Sequence, residues 1–239
     1  MSYQSEDESR IIVALDYSNR QDVLNLSKQL NPTLCKLKVG LELYITYGPS
    51  IIEDLHSLGY KIFLDLKLHD IPNTVMKSCI TAAELGVWML NVHSSGGKNM
   101  MSKAMQAITA GNYKTLLLGV TVLTSMDNDE LNEIGYSKNI SEQVLNMAEL
   151  CYRSKLNGVV CSAQESKFIK NKFNSNFICV CPGIRNTDDK INDQKRIMTP
   201  SLAAKNGADY IVVGRPITKS SNPLESLINI KKEYDESFK

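Results

Sequence analysis

Short apolar runs alternate with longer amphipathic stretches along the chain, at a spacing of about 30 residues. The apolar runs predict eight strands, at Ile11–Asp16, Leu34–Gly40, Lys61–Leu68, Gly86–His93, Thr115–Leu123, Gly158–Ser162, Phe177–Gly183 and Tyr210–Arg215. The stretches between them predict helices, at Gln21–Leu30, Pro49–Leu58, Asn73–Leu85, Lys98–Ala110, Ser141–Lys155, Ala163–Phe173, Ser201–Asn206 and Pro223–Tyr234. Eight strands that are each followed by a helix, in 239 residues, indicate the α/β class and a single-domain (β/α)8 TIM barrel.

An open, doubly wound sheet is the structural alternative, but it would normally carry a glycine-rich fingerprint after the first strand, and none follows Asp16. No linker divides the chain. We therefore predict one barrel domain over residues 11–239, preceded by a disordered or extended segment over residues 1–10. The long polar stretch 185–199 is typical either of a lid over a site or of a plain solvated loop.

The net charge and its distribution along the chain disfavour some classes of function. The chain has 27 Lys and Arg against 26 Asp and Glu, a formal net charge of +1, and no long block of like charge. This balance disfavours nucleic-acid binding and a polybasic membrane anchor. No apolar run is long enough to span a membrane, and the start of the chain is acidic and polar, so we expect a cytoplasmic protein with neither nucleic acid nor membrane as a partner.

The six cysteines have no CxxC spacing, and nearly all of them lie in apolar runs. This distribution predicts reduced, buried thiols rather than a disulfide framework or a zinc site. With only three histidines in the chain, a dedicated transition-metal site is not expected either.

Charged residues recur at the C-terminal ends of the first three predicted strands. In the third strand, Leu64 and Leu66 share one face, whereas Asp65 and Lys67 share the other. The aliphatic face should meet the helices, which leaves the two charges facing the barrel interior at the end where barrel enzymes carry their active sites. Asp16 and Lys38 end the first two strands in the same way.

A single interior charge could belong to a structural ion pair, but four charges of alternating sign favour chemistry, because aliphatic side chains fill a barrel without the desolvation cost. Asp70 follows in the connection HDIPNT, where it could instead be a helix N-cap, with Pro72 in the first turn. His69 is expected to be a packing or hydrogen-bonding residue.

Glycine-bearing turns follow the last two predicted strands, at Pro182-Gly183-Ile184-Arg185 and Gly214-Arg215-Pro216. The corresponding loops of (β/α)8 barrels frequently bind phosphate, because glycine lets backbone N–H groups approach the anion. Arg215 would add a bidentate contact. The alternative is an ordinary turn with a solvated arginine.

The stretch DLKLHDIPNTV at 65–75 resembles the signature of the orotidine 5′-phosphate decarboxylase family. Seven further stretches resemble the family in the same order: ALD at 14–16, KVG at 38–40, VTVLTS at 120–125, GVVCSAQE at 158–165, PGIR at 182–185, DQKRIMTP at 193–200 and VGRP at 213–216. The resemblance covers the chain after the first ten residues and is strongest to bacterial members.

The resemblance implies a homodimer without cofactor or metal that converts orotidine 5′-monophosphate to UMP and CO₂, the last step of de novo UMP synthesis. It assigns Lys38, Asp65, Lys67 and Asp70 to a catalytic network in which Lys67 stabilises and protonates the C6 carbanion. The implied substrate-binding residues are Asp16 at the ribose, Lys38, Thr124 at the pyrimidine, and Arg185, Gln194, Gly214 and Arg215 at the phosphate, with Gln194 on a closing loop. Asp70 and Thr74 would enter the neighbouring subunit's site.

Three rival functions share part of this pattern. A Mg²⁺-dependent sugar-phosphate enzyme of the same barrel group would share the DxKxxD spacing and the phosphate loops. A Schiff-base aldolase could use Lys38 or Lys67 as its nucleophile. A non-catalytic phosphoribosyl-binding barrel would keep Gly214 and Arg215 but would need no buried Asp-Lys array.

Overall fold

The computed structural model describes residues 9–185 and 198–238. Eight parallel strands close into a barrel in sequence order, and the last strand pairs with the first. The strands are β1 (Ile11–Ala14), β2 (Lys36–Gly40), β3 (Ile62–Leu68), β4 (Met89–His93), β5 (Leu116–Val120), β6 (Gly158–Val160), β7 (Ile178–Cys181) and β8 (Tyr210–Val213). Each lies within its predicted range, and the predicted (β/α)8 TIM barrel is confirmed.

Helices connect the strands on the outside of the barrel. They are α1 (Arg20–Gln29), α2 (Leu41–Tyr47), α3 (Pro49–Ser57), α4 (Pro72–Glu84), α5 (Gly97–Ala110), α6 (Asn128–Glu133), α7 (Ile140–Arg153), α8 (Ala163–Lys172), α9 (Pro200–Lys205), α10 (Arg215–Thr218) and α11 (Pro223–Ser237). A 3₁₀ turn, Ser94–Gly96, precedes α5. The helices α2, α6 and α10 and this turn were not predicted. Segments of three to seven residues show little helical period, although α9, which is equally short, was predicted at Ser201–Asn206.

The alternation of side chains along the strands separates two hydrophobic clusters. Phe63 lies with Ile12, Met89 and Val180 in a smaller cluster inside the barrel. Ile62 and Leu64, the neighbours of Phe63, belong to the larger cluster between the strands and the helices. The face assignment predicted for β3 is therefore confirmed, and it directs Asp65 inwards. All six cysteines are buried and free, as predicted.

A buried cation closes the N-terminal end of the barrel, which we call the floor. Lys36 is 3% exposed, and its ammonium donates to the carbonyl of Ser9 at 2.5 Å. The same ammonium lies 4.8 Å from the ring centroid of Trp88 and 5.2 Å from that of Tyr210. These cation–π contacts and the carbonyl replace part of the hydration that burial removes from the charge.

Two residues of the predicted N-terminal segment pack against the barrel. The Ser9 hydroxyl donates to the carbonyl of Leu34 at 2.5 Å, and the Arg10 guanidinium lies 3.9 Å from the ring centroid of Phe238. Residues 1–8 lie outside the described part of the chain, so the predicted boundary between residues 10 and 11 stays a prediction. None of the helices in the described ranges is both long and apolar enough to cross a membrane.

Candidate active site

A cavity of about 500 Å³ opens at the C-terminal ends of the strands. Of the site residues predicted from the sequence, eight line it: Asp16, Lys38, Asp65, Lys67, Thr124, Arg185, Gly214 and Arg215. Asp70 and Thr74 lie outside this lining, and Gln194 and most of the predicted lid at 185–199 lie outside the described residues. The structure thus brings together the charged array and the two glycine-bearing turns.

The charges on one wall of the cavity form a continuous chain of ion pairs. The Lys38 Nζ atom lies 3.4 Å from Asp16 Oδ1 and 3.4 Å from Asp65 Oδ2. The other oxygen of Asp65, Oδ1, lies 2.8 Å from Lys67 Nζ. Asp65 and Lys38 are nearly buried, with side chains 13% and 12% exposed, whereas Asp16 at the rim is 71% exposed and Lys67 is 32% exposed. Lys67 therefore offers its ammonium to the cavity while Asp65 holds it.

The two central groups are held in their charged forms. Burial raises the pKa of Asp65, but the ammonium groups of Lys38 and Lys67 and hydrogen bonds from Lys67 and Asn91 outweigh it, so the pKa lies below its ordinary value. For Lys38, burial lowers the pKa, and the carboxylates of Asp65 and Asp16 more than reverse that effect, so the pKa is raised. Both groups therefore stay ionised near neutral pH.

Asn91 is a residue of this wall that the sequence reasoning missed. It lies on β4 and is fully buried. Its Nδ2 donates to Asp65 Oδ1 at 2.7 Å, and its Oδ1 accepts from the backbone N–H of Lys67 at 2.7 Å. The signal was present in the sequence, because Asn91 alternates with Met89 and therefore faces the barrel interior as a polar residue in an apolar strand.

Two histidines lie near Lys67, with His93 as the last residue of β4 and His69 directly after β3. His93 stacks on His69, with ring centroids 5.6 Å apart and an interplanar angle of 17°. The Nδ1 atom of His93 accepts from the backbone N–H of Ser95 at 3.3 Å. Burial, His69 and Lys67 lower the pKa of His93. His69, predicted to be a packing or hydrogen-bonding residue, is exposed, and its ring stacks on that of His93, which was not singled out from the sequence.

Asp70 and Thr74 lie at the start of α4 and are exposed. The N-cap of α4 is Ile71, which makes no side-chain capping bond, and among the described residues the Asp70 carboxylate accepts from the adjacent Ile71 N–H alone, at 2.6 Å. The alternative interpretation of Asp70 as the helix N-cap is therefore wrong, because the helix begins one residue later than that role requires. Within the described residues Asp70 forms no ion pair.

A second cavity, of about 190 Å³, lies behind the chain of ion pairs, at the start of α2. Asp16, Lys38, Asp65 and Lys67 border both cavities, and Leu41 and Glu42 of α2 border this one alone. Exposed large apolar side chains include Leu41 (49%) and Ile45 (78%) on α2, and Ile71 (67%) at the start of α4.

The turns after β7 and β8 form the adjoining part of the cavity wall, because β8 pairs with β1 and Gly214 lies next to Asp16. Gly183 adopts φ of +80°, a conformation that side-chain-bearing residues rarely adopt. The chain then returns through an isolated bridge between Ile184 and Met198. Arg185 is buried, and Gly214 immediately precedes Arg215, the first residue of α10. Thr124, also buried, lies between these turns and the charged wall.

In the described ranges, no group of three or more His, Cys, Asp or Glu side chains could hold a metal ion. The charged groups that line the cavity are two carboxylates (Asp16 and Asp65), three ammonium groups (Lys38, Lys67 and Lys219) and two guanidinium groups (Arg185 and Arg215), and backbone of the glycine-bearing turns lies beside them. Such a set can bind an anion on one wall and stabilise a developing negative charge on the other.

Comparison with known proteins identifies the family of this chain. A family model described as orotidine 5′-phosphate decarboxylase / HUMPS family matches residues 9–230. The chain belongs to this family. It is 49% identical over 231 residues to orotidine 5′-phosphate decarboxylase of Pseudoalteromonas translucida, covering 96% of this chain and 99% of that protein. It is 46% identical to the enzyme of the same name from Hydrogenovibrio crunogenus, covering 96% and 98%.

A solved structure agrees with the sequence comparisons. The crystal structure of orotidine 5′-phosphate decarboxylase from Lactobacillus acidophilus superimposes with a TM-score of 0.85 at 38% identity, covering 95% of this chain and 100% of that one. The family match includes all eight strands and every predicted site residue. The family resemblance predicted from the sequence is confirmed.

Proposed function

We propose that this protein decarboxylates orotidine 5′-monophosphate to UMP and CO₂, the last step of de novo pyrimidine nucleotide synthesis. Family membership and the names of near-full-length relatives support the reaction. The observation that carries the mechanism is the Lys67 ammonium at the cavity wall, 2.8 Å from the buried Asp65 carboxylate. A cytoplasmic location is part of the proposal.

The chemical problem is the carbanion left at C6 of the pyrimidine. When the bond from C6 to the carboxylate breaks, CO₂ leaves and both electrons stay on C6, where no adjacent carbonyl accepts them. A preformed cation beside C6 stabilises this charge without reorganisation. Lys67 then transfers a proton from Nζ to C6, which gives UMP, and it regains a proton from solvent. Asp65 keeps the ammonium in place and protonated between turnovers.

The Asp65 charge would also face the substrate's carboxylate. Two like charges about 4 Å apart repel by roughly 4 kcal/mol at an effective dielectric of 20. The departure of CO₂ relieves this repulsion, whereas the attraction between the carbanion and Lys67 grows. The Asp65 charge thus raises the free energy of the bound substrate, and the Lys67 charge stabilises the transition state. Together they reduce the free-energy difference between the bound substrate and the transition state.

The remaining lining residues suit the rest of the nucleotide. Arg185, Gly214 and Arg215 share one wall of the cavity, where guanidinium groups and glycine backbone fit a phosphate. We assign the ribose hydroxyls to Asp16 and Lys38, and the pyrimidine to Thr124, between the two walls. Gln194 is proposed as a phosphate ligand from the segment outside the described residues. Binding at the phosphate, far from C6, supplies energy for ordering the site.

A homodimer with shared sites completes the proposal. The second cavity borders Lys38 and Lys67. An Asp70 carboxylate entering it from a second copy would bring a further negative charge to the two ammonium groups. Thr74, in the first turn of the same helix, would enter beside it. The exposed Leu41, Ile45 and Ile71 side chains provide apolar area for such an interface.

The lysine chemistry argues against the Schiff-base alternative. A Schiff-base lysine needs a lowered pKa so that its amine is free. Carboxylates surround Lys38 and raise its pKa, although burial alone would lower it. Borohydride with substrate should therefore trap no covalent adduct, and mass spectrometry of the treated protein checks this.

The direct test mixes the purified protein with orotidine 5′-monophosphate in EDTA and follows the loss of orotate absorbance. Turnover in EDTA supports a decarboxylase that needs no divalent metal. Turnover that stops in EDTA and returns with Mg²⁺ would favour the metal-dependent sister enzymes of the same barrel group. Binding of UMP without turnover would favour a non-catalytic phosphoribosyl-binding barrel.

Lys67→Ala should reduce kcat by at least about 10⁴-fold, because the variant loses both the cation and the proton donor at C6. It should still fold and bind UMP, since the phosphate wall is untouched. Lys61→Ala, at the exposed position just before β3, is the matched control and should keep wild-type kcat. A Lys67→Ala enzyme with near-normal kcat would remove Lys67 from the proton-transfer role.

A further inference from the structure

The pairing of β3 with β4 is irregular at the site. Leu64 pairs with Leu90, and the next pair is Leu68 with Val92. Three residues of β3, at 65–67, therefore lie opposite Asn91 alone. A bulge of this kind interrupts the ladder of backbone hydrogen bonds and redirects the side chains on the longer strand.

The bulge places Lys67 in a strained conformation. Its φ is +51°, in the left-handed region that costs a residue with a side chain about 1 kcal/mol or more. Such a conformation persists only where the surroundings determine it. The backbone N–H of Lys67 has lost its place in the regular ladder, and it donates instead to Asn91 Oδ1 at 2.7 Å.

The same amide reaches the carboxylate that holds the lysine. Asn91 Nδ2 donates to Asp65 Oδ1 at 2.7 Å, and that oxygen also accepts from Lys67 Nζ at 2.8 Å. One fully buried side chain thus fixes both ends of the Lys67 arrangement, its backbone and its counterion. An aliphatic side chain at this position could supply neither bond.

We propose that Asn91 is a positioning residue for the decarboxylation: its amide holds the strained Lys67 backbone and the Asp65 carboxylate so that the Lys67 ammonium points into the cavity. This inference rests on the proposed function and adds a residue that does not line the main cavity. Its chemical requirement is specific. The position needs an acceptor toward Lys67 N–H and a donor toward Asp65.

Asn91→Asp separates these two requirements. It keeps the size and the acceptor oxygen, but the donor exists only while the new carboxyl is protonated. Burial beside Asp65 should raise the pKa of the new carboxyl, as for two carboxylates that share a site. Four charged or titratable groups besides Asp65 are near the new carboxyl. Lys67 lies on β3, and Lys38 on β2 is paired with Asp65. His93 lies two residues further along β4, and His69 stacks on it.

The experiment measures kcat and KM for orotidine 5′-monophosphate across pH 5 to 8, in the Asn91→Asp variant and in the wild-type enzyme. At each pH, the kcat of the variant is divided by the kcat of the wild type to give the kcat ratio. Near pH 5 the protonated carboxyl can replace the amide donor, so kcat should lie near the wild-type value. As pH rises and the carboxyl ionises, the ratio should fall at least about tenfold, while KM changes by less than about threefold.

Asn157→Asp is the matched control. Asn157 Oδ1 also accepts from a strand backbone, the N–H of Leu117 at 2.8 Å, but at the floor end of the barrel. Its kcat ratio should stay constant across the pH range. Because His93 and the other native groups titrate in all three proteins, the ratio isolates the new carboxyl.

Asn91→Leu supplies a second measurement. If the variant folds, as judged by circular dichroism, kcat should fall by about 100-fold with KM changed less. A folded Asn91→Leu enzyme with wild-type kcat would overturn the proposal. A kcat ratio of the Asn91→Asp variant that does not change with pH would also overturn it. So would an Asn91→Asp protein that fails to fold both at pH 5 and at pH 8, because the amide would then have a purely structural role. Absence of turnover in wild type and Asn157→Asp would refute the proposed function instead.

Discussion

The Asp65 carboxylate is the point at which three side chains converge, one from its own strand β3 and one from each neighbouring strand, β2 and β4. It accepts from Lys67 and Asn91 at Oδ1 and faces Lys38 at Oδ2. The pKa of Asp65 is lower in the folded state than in the unfolded state, where it is about 3.9, so the ionised carboxylate stabilises the fold. This stabilisation is complete above the unfolded pKa and is lost as pH falls through the pKa of the folded state. The charge that orders the site is thus present throughout the neutral range.

Arg215→Ala should raise KM for orotidine 5′-monophosphate by about 10- to 100-fold, the effect of losing a charge-assisted hydrogen bond to phosphate. The phosphate is bound in the ground state as well as in the transition state, so kcat should change less. Steady-state kinetics gives both values. Arg153→Ala, on the exposed side of α7, is the control. An unchanged KM would exclude Arg215 from the phosphate site.

At the scale of single residues, strand alternation predicted which charges face inwards. It placed Asp65 and Lys67 on the face of Phe63, and it would have found Asn91 had polar residues of β4 been sorted in the same way. The strained φ of Lys67 could not be predicted, because it depends on which β4 residue lies opposite the bulge. Local propensity carries no information about that pairing.

Among the elements, α8, β7 and β8 are joined by one buried ion pair. The Lys170 ammonium of α8 lies 2.6 Å from Asp209 Oδ2, and it donates to the carbonyls of Ser175 and Phe177 at 2.9 Å each. The same carboxylate oxygen accepts from the backbone N–H of Cys179 on β7 at 2.7 Å. This pair fixes the loop between α8 and β7 to the start of β8.

Lys170→Met should destabilise the fold by about 3 kcal/mol at pH 7, because it leaves the Asp209 charge buried without its partner. Burial already raises the pKa of Asp209, against the lowering effect of Lys170. The cost should therefore shrink as pH falls through the folded pKa toward the unfolded value of about 3.9, where the carboxyl becomes neutral. Urea unfolding at several pH values measures both effects.

Lys172→Met is the control on the same helix. Its partner Glu149 is 43% exposed, as is Lys172 itself, so solvent screens this ion pair and its loss should destabilise the fold much less than the loss of Lys170. Neither variant should change kcat or KM. Equal destabilisation by the two variants would show that the buried pair does not have the structural importance described here.

At the scale of elements, long amphipathic stretches predicted the helices on the outside of the barrel to within a few residues. Helices such as α2 and α10 escaped prediction because they are fixed by where the preceding strand ends rather than by their own periodicity. The start of α4 shows the same limit. Asp70 precedes Pro72 in a sequence that favours capping, yet its carboxylate accepts from the next backbone N–H, and Ile71 is the N-cap.

For the whole molecule, we expect Lys67→Ala and Asp70→Asn to complement each other. If the partner subunit's Asp70 enters each site, a mixed dimer has one site with both lesions and one intact site. Random reassortment makes about half of the dimers mixed, so about a quarter of wild-type activity should return after the two inactive variants are refolded together. Activity and native mass spectrometry together measure the result.

The control pairs Lys67→Ala with Asp65→Asn, two residues that contact each other within one chain. Every site in that mixture carries a lesion, so no activity should return. If Asp70 acts only in its own subunit, Lys67→Ala with Asp70→Asn should behave like the control. Mixed dimers without recovered activity would thus refute the shared site.

The barrel floor gives the molecule a built-in optical probe. Trp88 is the chain's single tryptophan, and it lies just before β4, whose five residues separate it from the mouth by roughly 16 Å at 3.3 Å per residue. The cation and the tyrosine beside its ring make its emission sensitive to whether the strands stay closed around Lys36. Trp88 fluorescence therefore reports whether the barrel is closed, whereas orotate absorbance reports whether the substrate reacts. The two measurements on one sample distinguish an inactive variant that is misfolded from one that is folded but cannot react.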